Sequence, residues 1–515
     1  MIRRKFLVPL LALGTVLLAQ PVYAHGIGQR YDLPLPLGFF AVGGAGAVVL
    51  SFVVVGLVLR GESRVVGYPR FNLFRYRWLE VALSGPFLWP AKITSLFLLW
   101  LVIATALLGT TRPVDNFAPT FIWVIWWVGM GFLVALFGNL WALVNPWKIL
   151  FSWAEGLLRL AWPEKSLHLG IAYPRKWGIW PAVLLFFAFA WSENAFSESA
   201  SPRDLAAMVI VYTVVTWAGM FTFGKQQWLR HGEVFSVVFG FVSRFSITEV
   251  RVTEPAECRE CSAEDCRGED GQCVDCYECF EYAEGREFNL RPLGVGLGAT
   301  VAVTPSVIAM VILLLATVTF DGFSATPEWL RAQSFFITQF PELRSSFLNG
   351  ATIANTLGLF GFPLAFAGVY GFFCYLMFRI VGRRPPLVPA LIGAYVFSLM
   401  PIALAYNFAH FLSFLLIQGQ LIIALASDPF GLGWNLVGTA DYLINIRVTN
   451  ARFIWIFSVV AIVLGHIFAV YLAHIRAMRL YSNQSLARRS QLPMLGLMVI
   501  YTTVSLWIVS RPITE

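Results

Sequence analysis

Six of the seven cysteines fall in one run, Cys258-x2-Cys261-x4-Cys266-x6-Cys273-x2-Cys276-x2-Cys279. Thiols two residues apart can turn both sulfurs toward one ion. The pairs Cys258/Cys261 and Cys273/Cys276 suit a four-thiolate zinc site. Cys273-x2-Cys276-x2-Cys279 with one remote thiol is also a way of holding an iron–sulfur cluster, although no proline follows Cys279. Disulfides are the third reading, and they need an oxidising compartment. The simplest role for a metal here is to staple a loop too small to bury a core of its own. Cys374 stands alone in an apolar run and is expected to pack in the core.

The second set of reactive types is imidazole and carboxylate in apolar surroundings. His410 follows Asn407 and precedes Gln418 and Gln420, a polar stripe too costly to face lipid. Asp321 stands in Thr319-Phe320-Asp321-Gly322 and Asp428 in Ser427-Asp428-Pro429; Asp115, Glu193, Asn349 and Asn355 lie at similar run ends. His25 would be the first mature residue after signal cleavage, placing a free amine and an imidazole on one residue. The set His25, His410, Asp321 and Asp428 is the kind of donor set that holds a divalent metal and makes a metal-bound hydroxide. Single acids at span ends are also ordinary caps, and His466 and His474 read as packing or interface residues. No His-x-His pair, His-Glu-x-x-His, Gly-x-Ser-x-Gly or complete Gly-x-x-x-x-Gly-Lys-Ser/Thr string occurs; after Gly219-x4-Gly224-Lys225 stands Gln226. Soluble-hydrolase and nucleotide-binding signatures are therefore missing.

The elements that must position these groups are membrane helices. The chain of 515 residues is 58% hydrophobic and 13% charged, with 45 Phe and 19 Trp. Soluble domains carry about a quarter charged residues, so this composition implies an all-α polytopic membrane protein. The net charge of +8 comes from short loops between apolar runs, which excludes a phosphate-binding face and with it nucleic acid. Arg3, Arg4 and Lys5 before an apolar run, then Val22-Tyr23-Ala24, predict a cleaved signal peptide over 1–24. About ten transmembrane helices follow, at roughly 37–59, 92–110, 120–143, 178–192, 205–224, 296–319, 350–378, 387–412, 451–474 and 493–510. The eighth runs on through Pro401 toward Ser427, and irregular backbone there would need a protein-lined setting.

Clusters such as Arg60 to Arg77, Lys148 to Lys176 and Arg379 to Arg384 put their loops on the cytoplasmic side and both mature termini outside. The segment from Trp147 to Trp162 reads as an interfacial helix. The organisation is then a five-span half at 25–224, a cytoplasmic cysteine-rich loop module at 225–291, and a second five-span half at 292–515. His25, His410, Asp321 and Asp428 all map to the outer side.

Several strings together resemble a family of bacterial polytopic membrane proteins known as fenitrothion hydrolases. They are Ala24-His25-Gly26-Ile27-Gly28, Tyr31-Asp32-Leu33-Pro34-Leu35-Pro36, Thr319 to Ser324, Ala409-His410-Phe411 with Gln418-Gly419-Gln420, and Ser427-Asp428-Pro429 with Gly431. The resemblance implies a bacterial inner-membrane protein that hydrolyses the phosphorus–aryloxy bond of a neutral organophosphate. Such a hydrophobic small molecule would partition into the lipid bilayer and reach aromatic surfaces such as Trp123, Trp126 and Trp127. Two other classes stay open. A transporter or metal-handling protein would use the buried polar residues as a pathway, and a redox or assembly factor would use the cysteine cluster to carry electrons.

Overall fold

The computed structural model describes residues 36–58, 68–254, 273–298, 303–341, 349–382 and 385–514. The expected signal peptide, His25, Cys258, Cys261 and Cys266 lie outside the described residues. The principal helices are α1 (Leu37–Val58), α2 (Gly85–Leu108) and α3 (Phe117–Phe137). Then come α4 (Pro146–Ala161), α5 (Trp180–Asn194), α6 (Pro202–Phe223) and α7 (Val234–Ser243). The short α8 (Tyr277–Tyr282) precedes α9 (Pro305–Ser324), α10 (Pro327–Gln339) and α11 (Gly350–Ile380). The chain closes with α12 (Val388–Gln418), α13 (Ala451–Leu480) and α14 (Leu492–Thr514).

Among the described residues nine helical segments are long and apolar enough to cross a bilayer: α1, α2, α3, α6, α9, α11, α12, α13 and the segment containing α14. Large apolar side chains on their outer surfaces are exposed, including Val42 and Val58 on α1, Trp100 on α2, and Leu364 and Phe372 on α11. Water would not tolerate so continuous an apolar surface, and lipid requires it. The chain is an all-α, multi-pass membrane protein. All ten expected spans carry a helix, but α5 has only 15 residues. At 1.5 Å per residue it covers about 22 Å, short of a 30 Å hydrocarbon core.

Local chemistry sets the boundaries that hydropathy misplaced. The sixth span was expected at 296–319; α9 instead starts at Pro305, where the Thr304 side chain caps the Val307 N–H and proline occupies the first turn. The helix therefore reaches Ser324 and takes Asp321 inside it. Thr326 and Pro327 repeat the same signal and start α10 within a stretch expected to be loop. Asn145 caps α4, Asn349 caps α11 and Asn450 caps α13. In α12 the helix tightens over Val396–Leu399, ahead of Pro401. Proline lacks the N–H and its ring crowds the carbonyl four residues back, here that of Phe397. All four residues of this irregular turn are buried in protein, the setting such backbone requires.

The expected loop of 225–291 is not one unit. Residues 234–243 form α7, an apolar helix whose Phe235 meets Trp126 at a ring separation of 4.5 Å and Phe189 at 5.1 Å inside the helical core. Three strands of this stretch join one from earlier in the chain in a small antiparallel sheet of order β1-β4-β2-β3, with β1 (Phe71–Asn72), β2 (Thr248–Val252), β3 (Cys273–Val274) and β4 (Arg286–Leu290), and Val250 opposite Phe288. Val250, Val252, Cys273, Cys276, Cys279 and Phe280 form its core.

Helices α12 and α13 pack in close contact through Gly465. A methyl group there would lie 2.3 Å from Ala405 Cβ and 2.7 Å from the Pro401 carbonyl oxygen. Gly465→Ala is expected to destabilise the protein by about 1–3 kcal/mol through overpacking. Gly361→Ala, where nothing lies within 4 Å, should leave the melting temperature in detergent unchanged or slightly raised.

Candidate functional site

The phase of α9 turns Asp321 toward α12, and α12 carries His410 to meet it. His410 Nε2 lies 2.9 Å from Asp321 Oδ2, with the two side chains 7% and 12% exposed. A carboxylate only accepts, so in this contact Nε2 carries the proton. Tyr406, one turn earlier on α12, lies nearly parallel to the imidazole at 6.1 Å, and Phe411 meets it edge-on at 4.7 Å. Gly322 makes room for this arrangement, since a Cβ there would lie 2.2 Å from the Tyr406 hydroxyl.

Asp321 opens onto a cavity of about 70 Å³, bounded also by Glu193, Asn194, Asn407, Trp127 and Phe411. That is room for a few waters. Glu193, at the end of α5, lines the cavity with Trp127 and lies within electrostatic reach of Asp321. Trp127 belongs to a stretch of α3, Phe121–Met130, wound as a π-helix. Such widening is frequent at functional sites and here brings Trp123, Trp126 and Trp127 into α3's contacts with α5 and α7.

Behind Trp127 lies a second and larger space. A chamber of about 720 Å³ is lined by Trp123, Trp126, Trp141, Trp147, Phe189 and Tyr212, among other apolar side chains of α2, α3, α5 and α6. Phe189 faces this chamber and packs at 4.7 Å against Trp127, which faces the small cavity. The contact between these two rings therefore lies between the two spaces. A chamber of this size and lining suits a neutral, apolar small molecule.

Of the four residues expected to act together, two meet. Asp428 is engaged elsewhere: its carboxylate accepts from the N–H of Leu432 at 2.9 Å and of Gly433 at 2.6 Å. That turn is docked on another loop, with Phe117 N–H donating to Pro429 O and Thr110 N–H to Phe430 O. Asp428 thus organises a loop. Among the described residues no three His, Cys, Asp or Glu side chains converge as a metal site needs. Among the described residues His410 and Asp321 supply two donors, and His25, the other histidine of the expected set, lies outside them. Glu193 is the neighbour that sequence reasoning left out of the set, although its string Trp191-Ser192-Glu193-Asn194 marked it as an acid at a span end.

The described part of the cysteine run is built into the sheet module. Cys273 lies in β3, Cys276 immediately precedes α8 and Cys279 lies within it, all three buried. The Arg230 guanidinium donates to Cys276 Sγ at 3.8 Å. Ion pairs brace this module internally and fasten it to the helices. Arg291, its side chain fully buried, reaches Asp275 at 2.9 Å and Glu249 at 3.3 Å, and Arg70 reaches Glu249 at 2.5 Å. Burial and the Glu249 charge push the Tyr68 phenol up to about 12, and its hydroxyl donates to Glu249. Glu281 on α8 is held between Lys92 of α2 and Lys148 of α4, the latter at 3.2 Å. Cys374 is fully buried on α11, as expected of a packing residue.

No family model matches the chain, and neither a curated protein nor a solved structure matches it.

Burial alone would raise the Glu281 pKa, but the charges of Lys148 and Lys92 outweigh it and hold the carboxyl below its ordinary value. A depressed carboxylate contributes stability above its unfolded pKa and loses it as pH falls through the folded one. Glu281→Gln should therefore melt below the wild type at pH 7. The gap should close as the pH of thermal melts in detergent is lowered to about 3, beneath the usual Glu range near 4.3. A gap independent of pH would show that the ion pairs are not its cause.

Proposed function

We propose that this protein is a membrane-embedded hydrolase of neutral, lipid-soluble organophosphate esters and a member of the fenitrothion hydrolase family. The observation that carries the reading is Asp321, bonded to His410 and lining a small cavity, with the Trp127–Phe189 contact between that cavity and a large aromatic chamber. The ester enters the chamber from the bilayer, and movement of Trp127 against Phe189 admits its phosphorus to the cavity. Asp321 holds the imidazole with Nε2–H inward. His410 Nδ1 then takes a proton from a water as its oxygen attacks phosphorus in line with the aryloxy group. The phosphorus–aryloxy bond breaks, the aryloxide leaves with the bonding pair, and the imidazolium is stabilised by the Asp321 carboxylate. A nitrophenolate needs little acid catalysis to leave.

In the same reading residues 1–24 are a cleaved signal peptide, the protein lies in a bacterial inner membrane with both mature termini outside, and Cys258 to Cys279 hold a structural zinc on the cytoplasmic side. An iron–sulfur cluster in that module would instead give brown protein with a visible band lost on reduction. One feature favours a second class, a proton-coupled transporter: the cavity at the dyad is sized for water and not for a triester.

Membranes from a host lacking organophosphate hydrolases are expected to release the nitrophenol chromophore from fenitrothion when they contain this protein. His410→Ala and Asp321→Asn should each lower that rate by about 10²–10⁴-fold, the worth of general-base catalysis, with folded protein retained. Unaltered turnover in His410→Ala would remove the dyad from the mechanism. Uptake of intact ester into sealed vesicles without release would favour the transporter.

A further inference from the structure

Several buried polar groups play no part in that chemistry and lie along the packed faces of α9, α12, α13 and α14. His466 and His474, both on α13, are each 1% exposed. His466 Nδ1 lies 2.8 Å from the Ile462 carbonyl oxygen, and His474 Nδ1 lies 3.2 Å from Gln491 Oε1, an amide oriented by its own bond from Nε2 to Ala487 O. Both partners only accept, so in both rings Nδ1 carries the proton and Nε2 presents a bare lone pair. Neither Nε2 has a hydrogen-bond partner among the described residues. An unsatisfied buried acceptor in an apolar bundle costs free energy, and two on one helix call for an explanation.

The groups between them and the dyad supply one. The Tyr501 ring of α14 stands 5.8 Å from the His466 ring. Its hydroxyl meets Thr319 Oγ1 at 2.5 Å, and Thr319 in turn donates to Leu315 O. Gly322 is one turn further along the same face of α9, and against it sits the Tyr406 hydroxyl, which likewise has no partner among the described residues. Tyr406 is stacked on His410. The order is His474, His466, Tyr501 with Thr319, Tyr406, then Asp321 with His410, and finally Glu193 across the small cavity. Asp321 and Glu193 lie near the C-terminal ends of α9 and α5. Three crossings later, through α11, α12 and α13, His474 lies near the C-terminal end of α13 on the opposite face.

We propose that this column is a proton path through the membrane, in which waters bridge the bare Nε2 atoms and the hydroxyls between His474 and the Asp321–His410 dyad, more than one of them across the roughly 12 Å that eight helical residues put between His474 and His466. Each hop breaks one N–H or O–H bond and forms the next, so no oxidant, reductant or further reactant is needed. The path stands whether or not the dyad hydrolyses an ester. Where it does, the path carries off the proton that the imidazole takes from water.

The test uses the full chain in sealed liposomes containing a pH-sensitive dye, with potassium and valinomycin clamping the potential. After a step of external pH, vesicles with the wild-type protein should equilibrate severalfold faster than protein-free vesicles. Tyr406→Phe, which removes one oxygen and keeps the ring, and His466→Phe should return the rate to the protein-free value. Tyr370→Phe, whose hydroxyl bonds to Ile392 O away from the column, should conduct as the wild type does. A wild-type rate equal to that of protein-free vesicles overturns the path. So does full flux in Tyr406→Phe and His466→Phe proteins shown by melting to be folded. Flux without nitrophenol release would leave the path standing and remove the hydrolase reading, and release without flux would do the reverse.

Discussion

A carboxylate set between apolar helices has little water to solvate it, and Asp321 meets that constraint through the imidazole of His410 at 2.9 Å. Much of the surrounding architecture follows from holding that contact. The start of α9 at Thr304 and Pro305 sets the phase that points Asp321 at α12. The irregular turn before Pro401 interrupts α12 ten residues short of His410, and Gly465 lets α13 lie close enough to enclose it. Gly322 leaves the space that the Tyr406 hydroxyl fills. Each is a local concession of helix stability, by proline, glycine or a broken hydrogen-bond ladder, made around one buried charge.

The membrane class and the positions of the spans were legible because an apolar run of about 20 residues is both the cause of a crossing helix and its visible sign. What hydropathy does not see is where a helix is capped. Residues 296–304 are apolar enough to have been taken into the sixth span, yet Thr304 and Pro305 begin the helix. The same pair of types at Thr326 and Pro327 opens α10 in an expected loop. α7 escaped notice because ten apolar residues are too few to cross, and its burial depends on the rings of α3 and α5 that surround it.

For the site, residue type was informative and partnership was not. His410 and Asp321 stood out as polar groups in apolar runs, but they are 89 residues apart and only packing joins them. Asp428 carried the same signal and serves its own loop. Glu193 reads in sequence as an ordinary helix-end acid, and its place beside Asp321 is a property of how α5 packs. His466 read as a packing residue, and its bare Nε2 is visible only once its neighbours are known. The cysteine run marked a module, while the Glu281, Glu249 and Arg291 ion pairs that tie its described part to α2, α4 and the segment before β1 are tertiary facts.

The most direct test is nitrogen-15 NMR of ring-labelled histidine in lipid-reconstituted protein at neutral pH. The account predicts one resonance pair, assigned to His410 by its loss in His410→Gln, with the proton on Nε2 and altered in Asp321→Ala. It predicts the opposite tautomer, protonated at Nδ1, for His466 and His474. A His410 protonated at Nδ1 and indifferent to Asp321→Ala would contradict the account at its centre.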